Sequence, residues 1–253
     1  NDGFYTVDDF KPFDSKSRTW TLKDGVVNSS PLSGDPRPGN AKFKKLTPVD
    51  ENSANPYTLT DDDRTVIGNT TPKFSGGFGL NATFKGFDVS AFFNFMYDFD
   101  VFNANKVMMT TWASNNYNNF SMDISAAKRW RNFDDMGNEI RYSPEILAEF
   151  NKNATMWNPT SIGRPIAMSY AVEDGSFLRL NTATIGYTLP RAWTNKVGLS
   201  RVRFYASGYN LFTITGYSGY DPEVDIATGL TPNIDNNRYP RSRTYTFGVQ
   251  LTF

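Results

Sequence analysis

Residues 77–97 read Gly-Phe-Gly-Leu-Asn-Ala-Thr-Phe-Lys-Gly-Phe-Asp-Val-Ser-Ala-Phe-Phe-Asn-Phe-Met-Tyr. From Gly77 to Phe84 the residues alternate, with Phe78, Leu80, Ala82 and Phe84 on one face and Gly77, Gly79, Asn81 and Thr83 on the other. After Lys85-Gly86 the alternation resumes, and Phe87, Val89, Ala91, Phe93, Phe95 and Tyr97 share a face. Successive side chains of a strand point to opposite sides, so a period of two means one apolar and one polar face. Lys85-Gly86 reads as a tight hairpin connection, since Gly is free to take a positive φ. The alternation returns at the C-terminus, where Tyr245, Phe247, Val249, Leu251 and Phe253 interleave with Thr244, Thr246, Gly248, Gln250 and Thr252.

Two weaker stretches have the same character. Phe177 to Tyr187 carries Ala183, Ile185 and Tyr187 on one face but Leu178 and Leu180 on the other, which predicts a change of parity at a bulge. Arg201 to Phe212 sets Val202, Phe204 and Ala206 opposite Arg203, Tyr205, Ser207 and Tyr209. The expected strands are therefore about 75–84, 87–97, 177–187, 201–212 and 243–253, an all-β chain. A soluble sandwich and a membrane barrel look alike strand by strand, because in each one face is dry and the other wet. Length favours the barrel: tilted strands of about 9–11 residues span a bilayer, whereas soluble strands usually stop near 5–6.

The connections point the same way. Lys85-Gly86 is short and Leu189 to Ser200 moderate, but 98–176 and 213–242 are long, and short turns facing long loops are the habit of outer-membrane barrels. On that reading the short turns and the end of the last strand are periplasmic, and the long loops extracellular. Asn1 to Phe74, polar and rich in Pro and Gly, reads mainly as an upstream extracellular loop, and 75–253 as five barrel strands with their loops. Within the long loop, Ser143-Pro144-Glu145 followed by Ile146, Leu147 and Phe150 predicts a helix start, with Ser at the N-cap and Pro at the first position. Asp123 to Trp130 is a second helical candidate.

Composition removes whole classes of function. Lys+Arg and Asp+Glu are both 26, so the net charge is zero and no nucleic-acid partner is expected. With no Cys and no His there is no disulfide, thiolate site, imidazole zinc site or His-based triad, and neither metal nor cofactor is expected. Aromatics reach 15% while the mean hydropathy is −0.50, which suits aromatic girdles with long wet loops and equally a sugar-binding sandwich. No stretch approaches the roughly 18 apolar residues of a membrane helix. Asn1-Asp2-Gly3-Phe4 has no charged or apolar leader, so an export signal is expected upstream and the chain reads as a fragment.

Several segments together resemble the SusC/RagA family of TonB-dependent outer-membrane transporters of Bacteroidetes. They are Arg37-Pro38-Gly39 with Lys42, Asp61-Asp62-Asp63-Arg64-Thr65-Val66-Ile67-Gly68-Asn69, Pro72-Lys73-Phe74 with Gly76-Gly77, and Lys85-Gly86-Phe87. They continue with Asp174-Gly175-Ser176-Phe177-Leu178-Arg179-Leu180 and Gly186-Tyr187-Thr188-Leu189-Pro190. Asn210-Leu211-Phe212-Thr213, Gly219-Tyr220-Asp221-Pro222-Glu223 and Tyr239-Pro240-Arg241-Ser242-Arg243-Thr244 complete the set, in order, through most of residues 35–253. The resemblance implies the last five strands of a 22-stranded plugged barrel. It also implies import of oligosaccharides or peptides with a SusD-like surface lipoprotein, energised by TonB through residues outside this chain. In one respect the sequence departs from the family: Leu46 to Thr60 lacks the spaced acids and turn Gly of a calcium-loop-like run, so no ion is expected there.

The candidate site residues follow from these expectations. Phe93, Phe95, Tyr245, Phe247, Val249 and Leu251 are expected to face outer-membrane lipid. Phe253, a terminal aromatic on the last strand, resembles the signal read by the barrel-assembly machinery. In the long loop Trp112, Tyr117, Phe120, Trp130, Phe133 and Trp157 offer flat faces for a sugar or a lid, or form the loop's own core, and Trp130 beside Arg129 reads as structural. Trp112, Tyr117, Trp130 and Trp157, with Arg203 and Tyr209 on the inferred lumen side, are the substrate-binding candidates. Asp61, Asp62 and Asp63 read as a turn capped by Arg64 in preference to a cation site. Adjacent acids such as Asp134-Asp135 and Glu173-Asp174 point apart in extended chain, so no catalysis is expected. Two other classes stay open: a soluble or surface carbohydrate-binding β-domain, and an outer-membrane enzyme whose catalytic residues lie upstream.

Overall fold

The computed structural model describes residues 2–112, 119–162, 166–224 and 233–253. Among them, eight strands run in chain order: β1 (Phe74–Phe84), β2 (Phe87–Tyr97), β3 (Asp100–Asn103), β4 (Val172–Asp174), β5 (Phe177–Thr188), β6 (Arg201–Thr215), β7 (Ile234–Asp235) and β8 (Thr244–Thr252). Short helices α1 (Ser30–Ser33), α2 (Ala104–Met108), α3 (Pro144–Phe150) and α4 (Arg191–Thr194) lie in the connections. No helix among the described residues is long and apolar enough to cross a membrane. Strands β1-β2-β5-β6-β8 form one sheet, antiparallel at every pairing, and β4-β3-β7 form a small second one.

The β1–β2 turn explains its own sequence. Lys85 (φ 49°) and Gly86 (φ 88°) both sit in the left-handed region, the type I′ pair whose twist matches the strands it joins. A Cβ on Gly86 would lie 2.8 Å from the Thr188 carbonyl oxygen, and the Gly86 carbonyl accepts the Thr188 N–H at 2.8 Å. Gly86→Ala is therefore expected to destabilise the sheet by about 1–3 kcal/mol. Lys85→Asn, which tolerates the left-handed region, should leave the melting temperature unchanged or raised. Equal melting of Gly86→Ala and the parent would show that the turn is not what holds the register.

In β5 the expected change of parity occurs. Leu180 pairs with Phe93 but Thr182 pairs with Phe92, so Asn181 is extra. Opposite it β6 bulges at Asn210 (φ 52°) and Leu211, between the pairs Thr182–Tyr209 and Leu180–Phe212. The irregularity returns Leu178 and Leu180 to the face of Ala183, Ile185 and Tyr187. Strand β6 runs on to Thr215, beyond the Phe212 that alternation alone reached.

The chain divides into two compact units: residues 1–67 with 104–171, and residues 68–103 with 172–253, the latter holding both sheets. The first unit has its own cores. Ala41, Phe43, Leu59, Trp157, Ile162 and Met168 form one, and Trp130, Ile140 and Leu147 form another. Buried Tyr5 is a hub: its hydroxyl donates to the Val27 carbonyl (2.6 Å) and accepts the Ser29 N–H (2.9 Å), while Ser29 Oγ accepts the Phe43 N–H (3.0 Å). Helix α3 starts at Pro144 as expected, although the Ser143 side chain makes no capping bond. Asp123 to Trp130 is not an α-helix. Met122–Ile124 is a single 3-10 turn capped by Ser121, and the chain then bends away to carry Trp130 into the core.

The triple-Asp segment is a clasp. Asp63 Oδ1 accepts the N–H groups of Leu46 and Thr47 (2.8 Å each), Oδ2 accepts the Thr60 N–H (2.9 Å), and Lys45 Nζ lies 3.3 Å away. Asp61 pairs with Arg64 at the surface, 3.0 Å apart. Burial alone would raise the Asp63 pKa, but the bonds from Thr47, Thr60 and Leu46 outweigh it and hold the carboxyl well below the usual range. A depressed carboxylate stabilises the fold above its unfolded value, about 3.9, and loses that contribution as pH falls toward the folded one. Hydrogen-exchange protection at 45–47 and 60–64, taken relative to the intrinsic rate at each pH, is therefore expected to fall on acidification below about pH 4. Asp63→Asn should be fast already at pH 7 and show no acid step; a variant that keeps the parent's profile would remove the clasp from the account.

Candidate functional site: a membrane face and a channel wall

Register places every large apolar residue of the alternation on one side of the five-stranded sheet. Phe78 opposes Phe93, Leu80 opposes Ala91, Val89 opposes Ile185, Phe87 opposes Tyr187, Tyr187 opposes Phe204, Phe204 opposes Val249, and Ala206 opposes Phe247. This face is open: Leu80 is 60% exposed and Phe247 79%. Phe93 and Phe95 are half-buried, but by neighbours on the same face: Phe93 stacks on Phe78 (5.0 Å, 13°), and Phe95 lies over Gly76. Among the described residues no second sheet covers these rings, as the core of a sandwich would require.

The opposite face is polar and its bulk is interleaved with glycine. Asp88, Gly186, Tyr205 and Gly248 stand in one row across β2, β5, β6 and β8. Arg203, beside that row, reaches across β5 to Asp88 with Nε to Oδ1 at 2.9 Å and Nη2 to Oδ2, a two-pronged ion pair. Gly186 makes the crossing possible, because a Cβ there would lie 2.7 Å from the guanidinium carbon. The Tyr205 ring likewise covers Gly248, and Phe92 covers Gly77. Thr184 and Ser207, opposite one another, share a hydroxyl bond of 2.8 Å. Such a face presents fixed polar groups, which is what a wet lumen requires.

At the long-connection end, Arg179 of β5 is buried on this polar side between Asp221 and Glu223. In sequence these residues stand only within motifs, and their signals are an Arg on the polar parity of a strand and an Asp221-Pro222-Glu223 turn.

No family model matches the chain. Over 228 residues, 88% of its length, the chain is 32% identical to TonB-dependent receptor P3 of Formosa agariphila, of which it covers 20%. It is 32% identical over 164 residues to TonB-dependent receptor SusC of Bacteroides thetaiotaomicron, covering 59% of this chain and 15% of that one. In structure it matches the RagAB peptide importer in its open-open state, with a TM-score of 0.54 and 26% identity over 78% of this chain and 19% of the other. The chain belongs to the SusC/RagA family of TonB-dependent receptors. It spans about a fifth of the length of the first of these relatives.

As SusC/RagA sequence the chain is an outer-membrane protein, and its five-stranded sheet is a partial barrel wall. Within that wall Arg203 is committed to Asp88, while Tyr209 is exposed on the polar side. In the first unit Trp112 is half-exposed, tilted against Phe120 at 5.7 Å, whereas Tyr117 lies outside the described residues. Two substrate-binding candidates are corrected. Trp130 (3% exposed) and Trp157 (2% exposed) are core residues with no ring face free for a ligand: Phe4 packs edge-on to Trp130 at 5.7 Å, and Tyr170 to Trp157 at 4.9 Å. Phe253 extends past the end of β8 and is 90% exposed.

The paired acids are consumed by turns. A side-chain bond from Asn138, then its N–H, hold the Asp134 carboxyl below the ordinary range, and Asp135 pairs with Arg131. Asp174 accepts the Ser176 N–H at 2.9 Å, and Glu173 accepts the N–H and hydroxyl of Ser218 at 2.9 Å each. None is placed as an acid/base couple, and the similar proteins are receptors and transporters.

Proposed function

We propose that this chain supplies barrel wall and extracellular loops to a TonB-dependent active importer of oligosaccharides or peptides, working with a SusD-like surface lipoprotein. The observation that carries the reading is the uncovered apolar face of a sheet whose strands run 9 to 15 residues, backed by a polar face with fixed charges. In this reading Phe93, Phe95, Tyr245, Phe247, Val249 and Leu251 contact lipid, and Phe253 is read by the barrel-assembly machinery. Tyr209 and the Arg203–Asp88 pair line the channel, and Trp112 with Phe120 offers an open aromatic surface to cargo. Similarity to a peptide transporter and to SusC supports import, and TonB would engage residues outside this chain. The uncovered face disfavours a soluble carbohydrate-binding domain, whose apolar side would be packed against a second layer.

These 253 residues contain no cysteine, so single cysteines report cleanly on the two faces. In the full-length protein in its membrane, cysteines at Phe247 and Leu251 should react with a lipid-soluble probe and resist a charged maleimide. Cysteines at Thr246 and Gln250 should do the reverse. Equal reaction on both faces would end the barrel reading. Deleting the gene should abolish growth on one class of glycan or peptide as sole nutrient, and unimpaired growth on every class would end the importer reading while leaving the barrel intact.

A further inference from the structure

One cluster of charges lies at the long-connection end of the wall. Arg179 is 1% exposed; its Nη2 donates to Asp221 Oδ1 at 2.5 Å, and Nη1 lies 3.3 Å from Glu223 Oε2. Glu223 Oε1 in turn binds Arg241 Nη2 at 2.5 Å, and Asp221 Oδ1 also accepts the Glu223 N–H at 2.9 Å. Two cations and two carboxylates thus alternate, joining β5 to both limbs of the connection between β6 and β8.

The same limbs are tied at other points. The Tyr217 hydroxyl donates to Asp235 Oδ2 at 2.6 Å, and burial, with the Asp235 charge adding, pushes its pKa far up, so it stays a donor. Ser218 binds Glu173 of β4, Asn233 Nδ2 donates to the Thr70 carbonyl at 2.6 Å, and the Phe102 N–H of β3 donates to the Asn233 carbonyl at 3.0 Å. Phe99, Val101, Phe177, Tyr217 and Val224 form an apolar core alongside.

We propose that Arg179 is a positioning residue that makes residues 217–224 and 233–243 a fixed rim of the channel mouth and not a moving gate. A buried cation is tolerated only with its counter-charges in place, and the carboxylates that supply them belong to the connection, so displacing the connection would strand a charge on the wall. The rim presents Tyr220 (82% exposed) and Tyr239 (90% exposed), each within three residues of a pinned side chain. Tyrosines held on rigid backbone make contacts at low entropic cost, which suits them to receive cargo. That use rests on the importer reading, whereas the rigidity of the rim does not.

The test reads rigidity alone. Nitroxide labels on Tyr220→Cys and Tyr239→Cys in the full-length protein should give spectra limited by slow backbone motion. Arg179→Met should shorten the correlation time severalfold at both labels while a label at Gln250→Cys in β8 keeps the parent spectrum. Arg179→Lys, able to pair with one carboxylate but not to fork between two, should fall between. Should Arg179→Met fail to fold, Asp221→Asn, which lies outside the strands, reads the same coupling. Labels already mobile in the parent, or unchanged by loss of Arg179 or Asp221 in a folded barrel, would overturn the proposal. Loss of rigidity without loss of uptake would leave the fixed rim standing and remove only its role toward cargo.

Discussion

Phe247→Arg is expected to leave little folded, membrane-inserted protein, whereas Thr246→Arg one residue earlier should insert normally. Phe247 lies near the middle of β8, 79% exposed on the apolar face opposite Ala206. An arginine at the bilayer midplane on the lipid side of a barrel costs about 2–4 kcal/mol, and the ring's contact with lipid is lost as well. Thr246 pairs with Ser207 on the polar face, where a guanidinium meets water. The amount of heat-modifiable protein in the outer-membrane fraction separates the two variants. If both reach the parent's level, the apolar face does not meet lipid. The contrast between neighbouring positions matters more than either value, because loss of local strand propensity would affect both alike.

Gly39→Ala is expected to be the most damaging small substitution in the first unit. Gly39 holds φ at 88°, and a Cβ there would enter the indole of Trp130, 2.7 Å from Nε1. The ring has little room to yield, since it is 3% exposed and packed against Phe4, and the residue's backbone N–H is fixed on the Met156 carbonyl at 2.8 Å. Left-handed strain and overpacking cost about 1–3 kcal/mol each, so the sum is about 2–6 kcal/mol. Protease resistance of residues 1–67 and 104–171 should fall accordingly. Trp130→Leu removes the obstructing ring and costs stability by itself. The double variant should therefore be more stable than the sum of the two losses predicts. Simple additivity would show that Gly39 is needed for its backbone conformation alone.

The Arg37-Pro38-Gly39 segment shows what kind of information was hidden. As sequence it marked a turn and a family resemblance; the reason for Gly lies in a tryptophan 91 positions further along the chain. As sequence, Trp130 and Trp157 are loop aromatics with two possible uses, Trp130 beside Arg129 leaning to the structural one, and the packing of residues 1–67 with 104–171 decides for the core in both. In sequence Gly186 is likewise only a motif residue; in the structure Arg203 crosses it on the way to Asp88, 115 residues away in sequence.

What the amino-acid order determined by itself was the sheet: its alternation, the Lys85-Gly86 hairpin, and a parity change within β5. Those features are local, because strand geometry sends neighbouring side chains to opposite sides and each side meets one environment along its whole length. Only the tertiary structure decided which loop residues are core, which glycines make room for a distant ring or guanidinium, and where the buried Arg179 finds its carboxylates. Such pairings depend on shape and charge brought together across tens to hundreds of residues, and no period along the chain records them.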